Sequence, residues 1–187
     1  MINASIQTRK QGPLNGVRII DTTSVLFGPY CTQLLGDFGA DIIKVEGLDG
    51  DTVRGAGTGK SPGMSGVFMG TNRNKRSVAI DIKTPSGKKA ILDLIKNADV
   101  FVTNIRRKAL ERLGLDYEAL RILNPALIHA SALGYGRGGP YEDRPAFDDT
   151  TQAISGLASL QAAMNGVPGY VATTVADKIS GLTLALA

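Results

Sequence analysis

Two short apolar segments, each ending on an acid and separated by a Gly-Pro pair, constrain this chain more than any other feature. Val17-Arg18-Ile19-Ile20-Asp21 and Asp41-Ile42-Ile43-Lys44-Val45-Glu46 read as buried strands. Between them Gly28-Pro29 opens a helix through Leu34, Leu35 and Phe38, and Gly39 ends it. Pro suits the first helical turn because the N–H it lacks has no partner there. A strand, a helix and a second strand so closely spaced form a βαβ unit, whose strands must pair in parallel.

The same alternation continues. Ser77-Val78-Ala79-Ile80-Asp81, Val100-Phe101-Val102-Thr103-Asn104 and Leu127-Ile128-His129-Ala130-Ser131 read as further strands. Thr84-Pro85 caps and starts a helix carrying Ala90, Ile91, Leu94 and Ile95, and shorter helices fit Ala109 to Leu113 and Tyr117 to Leu123. Residues 147–160 fit one more helix, and Gly47 to Gly70 is expected to be a long loop. The fold class is therefore α/β, with a Rossmann-like, mainly parallel sheet and flanking helices. In such sheets ligands lie beyond the carboxyl ends of the strands. That rule gathers the loops after Asp21, Glu46, Asp81, Asn104 and Ser131 onto one rim.

Composition narrows the function. A chain of 187 residues, 43% hydrophobic and 20% charged, can bury one domain's core. No apolar run is long enough to span a bilayer, and residues 1–12 read as a flexible, polar leader with no signal core, so a cytoplasmic protein is expected. The single cysteine, Cys31, agrees with a reducing compartment. Absent Trp and 5% aromatic content argue against base-stacking surfaces, so nucleic acid is not an expected partner. The net charge of +4 is concentrated in Arg73-Asn74-Lys75-Arg76 and Arg106-Arg107-Lys108, which suits a phosphate-bearing small molecule.

Most familiar motifs are missing. The turn after Asp21 lacks G-x-G-x-x-G, although Glu46 stands where a ribose-binding acid would. Gly59-Lys60-Ser61 lacks the earlier glycine of a P-loop, since Arg54 holds that place. One histidine, His129, sits inside a strand with no Cys/His partner, so no metal site is expected, and no G-x-S-x-G elbow serves a serine nucleophile. Carboxylate chemistry remains, with Asp148, Asp149 and Asp177 as candidates; an isolated Asp is otherwise a helix cap or a surface charge.

Read together, several segments resemble the family III coenzyme A transferases of the CaiB/BaiF type. They are Pro13 to Asp21, Gly28-Pro29, Leu34 to Glu46, Asn72 to Ser77, Asp99 to Asn104, Leu113 to Tyr117, Asn124 to Ile128, Gly134-Tyr135-Gly136, Phe147-Asp148 and Ala176-Asp177. The resemblance implies that 13–187 form the incomplete large domain of a longer chain. A second domain and a glycine-rich active-site loop would lie beyond Ala187, and the full-length form would be an interlocked homodimer. It is consistent with the chain stopping inside the apolar run Leu182 to Leu186. The implied activity moves CoA from an acyl-CoA to a small carboxylic acid, with CoA as a cosubstrate and no permanently bound cofactor. Asp177 is the implied nucleophile, passing through an acyl–aspartyl anhydride and an aspartyl-CoA thioester. Val25, Leu26, Phe27, Lys75, Arg76, Asn104 and Arg112 match the family's CoA contacts. Leu26 stands where formyl-CoA transferases carry Gln, and the catalytic His of the related racemases is absent near Phe147-Asp148-Asp149. The alternative expectation is a truncated CoA-binding module without turnover.

Overall fold

The computed structural model describes residues 12–187. Of the leader expected over 1–12, residues 1–11 therefore lie outside the described residues. Strands β1 (Arg18–Asp21), β2 (Asp41–Glu46), β3 (Lys75–Ala79), β4 (Val100–Thr103) and β5 (Ile128–Ser131) form a five-stranded sheet in the order β3-β2-β1-β4-β5. Every pairing is parallel. The connections carry helices α1 (Phe27–Asp37), α2 (Gly66–Asn72), α3 (Pro85–Lys96), α4 (Arg107–Leu113) and α5 (Tyr117–Leu123). Three more follow β5: α6 (Asp148–Ile154), α7 (Leu157–Asn165) and α8 (Val175–Leu186).

Alternation along the strands sorts the core into two layers, because successive side chains point to opposite faces. Ile20, Val45 and Phe101 pack with Ile91, Ile95, Leu110 and Leu120 on the face of α3, α4 and α5. Ile19, Ile42 and Val102 form the other layer, with Leu35 and Leu184 against them. Burial on both faces is what a wholly parallel sheet requires. Farther along the strands the second layer turns polar: Asp21, Lys44 and Glu46 are all buried there.

The direction in which successive strands are added reverses between β1 and β4, which are parallel neighbours in the sheet. From β1 the chain proceeds to β2 and β3; from β4 it proceeds to β5 on the other side. The loops leaving the two central strands diverge at this switch point and open a crevice.

Some element boundaries differ from the sequence expectation. Residues 47–70 are not one loop: a 3-10 turn at Thr52–Gly55 is capped by the Asp51 side chain, and α2 is capped by Ser65. Both are too short to show an amphipathic period, so only their caps mark them. The helix expected over 147–160 is split into α6 and α7 at Ser155 and Gly156, where Gly156 adopts φ +84°. Strand β3 starts at Lys75 rather than Ser77. Lys75 and Arg76 thus enter the sheet at its amino end, opposite the rim. Among the described residues no helix is long and apolar enough to cross a membrane.

Candidate functional site

The loop from β1 to α1 forms the floor of the crevice. It is held residue by residue. The Thr23 carbonyl accepts from Lys44 Nζ at 2.8 Å. The Ser24 N–H donates to Asn104 Oδ1 at 3.2 Å, and Asn104 Nδ2 donates back to the Ser24 carbonyl at 2.9 Å. Asn104 follows β4, so its amide ties the two diverging loops together. The Val25 N–H donates to Asp51 Oδ1 at 3.2 Å. Val25 has φ +72°, a left-handed conformation that costs a β-branched residue about 1–3 kcal/mol. Helix α1 then begins without a side-chain cap, leaving the positive end of its dipole at the crevice.

A cavity of about 440 Å³ lies over this loop. Val25, Leu26, Phe27 and Asn104 line it, together with Arg106, Arg144, Asp148 and Asp177. A second hollow on the β4 side is lined by Arg106, Lys108 and Arg112, and a third, of about 270 Å³, by Gly47, Ile80 and Lys83. Ser24 lines all three, so they meet as one branched trough along the rim. Lys108 is paired with Asp143 at 2.7 Å, whereas Arg106, Arg112 and Lys83 form no ion pair among the described residues.

Asp177 lies in the first turn of α8. Its neighbour is Asp148, whose Oδ2 accepts the Asp177 backbone N–H at 2.9 Å and whose Oδ1 accepts from Gln152 Nε2 at 2.5 Å. Gln152 Oε1 in turn accepts the Val171 N–H at 2.8 Å, fixing α6 to the segment that leads into α8. Burial, and then the Asp148 charge, push the Asp177 carboxyl up to about 6. It is therefore ionised at neutral pH yet more basic than an ordinary aspartate. Close packing fixes its place: a Cβ on Gly181 would lie 2.8 Å from the Phe27 carbonyl oxygen, so α8 can approach the start of α1 only with glycine there. Gly28 plays the reciprocal part under Thr23, whose Cγ2 would be 2.4 Å from an added Cβ.

Lys75 and Arg76 do not line the trough. Lys75 Nζ is buried, donating to Asp21 Oδ2 at 3.1 Å, the Pro29 carbonyl at 2.8 Å and Asn72 Oδ1 at 2.9 Å. Burial pushes Lys75 down to about 8 even with Asp21 beside it. Burial alone would raise Asp21, but Lys75, Lys44 and the Thr23 and Thr32 hydroxyls hold it below the ordinary range. Arg76 pairs with Asp41 at 2.7 Å at the amino end of the strands. Asp149, the remaining candidate acid, accepts the N–H of Thr150 at 2.7 Å in the first turn of α6 and does not line the cavity.

Cys31 lies close by but is chemically quiet: burial, then Asp21, push its thiol up to about 12. His129 Nε2 lies 3.3 Å from the Leu115 carbonyl oxygen, and its ring packs edge-on against Phe101 and Tyr117. Among the described residues no group of three or more His, Cys, Asp or Glu is placed to hold a metal ion.

Sequence reasoning missed Lys83 and Arg144 at the trough and the Lys44–Asp51 pair beneath it. Lys83 had a signal, being the first cation after the third strand on the ligand-binding rim. Lys44 had none, since a lysine within an apolar strand reads as an interruption of the core.

Comparison with known proteins agrees with this geometry. The model of CoA-transferase family III matches residues 14–187. The chain is 40% identical over 180 residues to a succinate–glutarate CoA-transferase of Agrobacterium fabrum, covering 92% of this chain and 45% of that protein. It is 44% identical over 175 residues to a formyl-CoA:oxalate CoA-transferase of Rhodopseudomonas palustris, covering 92% and 41%. A CAIB/BAIF family protein from Brucella suis superimposes with a TM-score of 0.89 at 35% identity, covering 94% of this chain and 47% of that one. The chain thus spans less than half the length of these relatives. With its parallel sheet, its switch-point crevice and a family match from Leu14 to the last residue, the chain belongs to CoA-transferase family III.

Proposed function

We propose that this chain carries the nucleophile and much of the CoA-binding surface of an acyl-CoA:carboxylate CoA-transferase. The observation that supports this reading best is Asp177: a half-buried carboxylate with its pKa raised to about 6, facing a cavity next to the uncapped start of α1. A carboxylate ionised at pH 7 but raised in basicity is a better nucleophile than an exposed aspartate.

In the proposed reaction an Asp177 oxygen attacks the thioester carbonyl. The C–S bond breaks, giving an acyl–aspartyl anhydride and CoA thiolate. The thiolate attacks the aspartyl carbonyl, releasing the first acid and leaving an aspartyl-CoA thioester. The acceptor carboxylate attacks that thioester, forming a new anhydride and thiolate; thiolate attack on its acyl carbon yields the new acyl-CoA and free Asp177. Each step exchanges activated carboxyl derivatives, so no electrons are gained or lost. The N–H groups at the start of α1 would stabilise negative charge on the thiolate or on the tetrahedral oxygen.

The proposed CoA contacts are Val25, Leu26, Phe27 and Asn104 in the main cavity and Arg112 in the adjoining hollow. Arg106 and Lys83 join them as cations available to phosphate oxygens. Lys75 and Arg76, which the family resemblance would also put at CoA, are given a supporting part here: Lys75 under Asp21 and the start of α1, Arg76 on Asp41. The second domain, the interlocked homodimer and a cytoplasmic location remain proposals carried by the resemblance. The test follows CoA from succinyl-CoA to a second acid by chromatography of the acyl-CoA products. Transfer that D177N abolishes supports the reading. The alternative reading is a module that binds CoA without transfer; CoA binding by calorimetry with no product would support that instead.

A further inference from the structure

We propose that Lys44 and Asp51 are positioning residues that hold the Thr23–Phe27 loop in its strained, ligand-ready conformation. The inference rests on the reading of the trough as the CoA-binding site.

The pair is a deeply buried charged contact touching that loop: Lys44 Nζ and Asp51 Oδ2 are 2.9 Å apart, and both side chains are 1% exposed; Asp21, equally buried and paired with Lys75, accepts the Thr23 N–H at 2.8 Å. Neither lines the main cavity, and Asp51 borders the third hollow beside it. Between them they hold the two ends of one short bend. Lys44 Nζ donates to the Thr23 carbonyl, and Asp51 Oδ1 accepts the Val25 N–H. The residue at the second contact is the one with φ +72°. A β-branched residue leaves that region unless its surroundings hold it there. A buried ion pair adds little net stability over a well-packed apolar pair, and fixing one backbone conformation is a role that such a pair can fill.

The pair is itself anchored. Glu46 Oε2 accepts the Asp51 backbone N–H at 2.8 Å and Arg54 Nε at 2.7 Å, and its Oε1 accepts from Ser77 Oγ at 2.5 Å. The Arg54 guanidinium lies 3.8 Å from the Phe68 ring centre. Rigidity thus passes from the carboxyl end of β2 through Asp51 to the backbone of Val25. If the loop relaxed to negative φ, Val25 and Leu26 would move out of the cavity wall and the start of α1 would lose its aim.

The test is a double-mutant cycle between D51A and V25G, read by CoA affinity in calorimetry and by hydrogen exchange of the Ser24 and Val25 amides. Because D51A leaves the Lys44 ammonium unpaired, K44M/D51A is measured alongside it. In the Val25 background each change is expected to weaken CoA binding about 10- to 100-fold, the scale of an ångström-sized misplacement, and to speed loop exchange. With V25G the φ > 0 conformation carries no steric penalty, so the same changes should weaken binding less than about threefold. Equal losses in both backgrounds, or unchanged exchange with only a lower melting temperature, would overturn the proposal. If the unmutated chain binds no CoA, the reading of the trough fails, and the exchange data alone decide whether the clamp exists.

Discussion

Asp148 accepts the backbone N–H of Asp177 at 2.9 Å while its charge helps to raise the Asp177 carboxyl to about 6. One carboxylate thus does two things to the other residue: it caps the helix turn that carries it and makes its side chain more basic. D148N retains an acceptor for the N–H but removes the charge. The acid limb of the rate of CoA-adduct formation, expected near pH 6, should then move toward lower pH. A pH profile of adduct formation for both proteins checks this.

The raised pKa also makes Asp177 a stability liability. Between its unfolded pKa near 4 and its folded value near 6 the native state holds more protons than the unfolded chain. This contribution therefore falls as pH rises through that window and stays low above it. D177N should gain stability relative to the unmutated chain at pH 7, and the difference should vanish below pH 4. Urea unfolding at pH 3.5, 5 and 7 measures it.

Glu46 behaves in the opposite sense. Burial would raise it, but hydrogen bonds from Arg54, Ser77 and the Asp51 N–H hold it down at about 2. Its contribution is fully present above its unfolded pKa and is lost as pH falls toward 2. E46Q should cost about 3 kcal/mol at pH 7 and little at pH 2, measured by the same unfolding series.

Gly181 tests whether helix placement controls the nucleophile. G181A would put a methyl 2.8 Å from the Phe27 carbonyl oxygen, so α8 must move away from α1. A loss of about 1–3 kcal/mol is expected, with CoA-adduct formation falling further than that loss explains. Melting temperature and adduct yield, compared at a temperature where both proteins are folded, separate the two.

Cys31 supplies a control on the chemistry. With its thiol raised to about 12, it should resist alkylation by iodoacetamide at pH 8 until the chain unfolds. C31S should leave adduct formation unchanged.

Much of this was legible in the residues. The paired strand segments ending in Asp21 and Glu46 fixed parallel pairing, and the rim rule brought Val25, Leu26, Phe27 and Asn104 to one crevice. Asp177 reached that crevice through tertiary packing, which periodicity does not encode; elimination left it beside Asp148 and Asp149 as a candidate, and only the family resemblance singled it out among the three. The basic run at Arg73 to Arg76 stands away from the rim for a physical reason. Positive side chains next to a strand look like a phosphate site, but Arg73 precedes β3, Lys75 and Arg76 open it, and Asp37, Asp21 and Asp41 pair with them in turn. The Lys44–Asp51 pair was invisible because its two members only meet once β2 and the 3-10 turn after it are folded.

The most direct test of the central claim is the location of the covalent intermediate. The chain is incubated with succinyl-CoA, trapped with hydroxylamine, digested and sequenced by mass spectrometry. The account predicts a hydroxamate on Asp177, lost in D177A. A hydroxamate on Asp148 or any other residue, or none from a protein that transfers CoA, would contradict it.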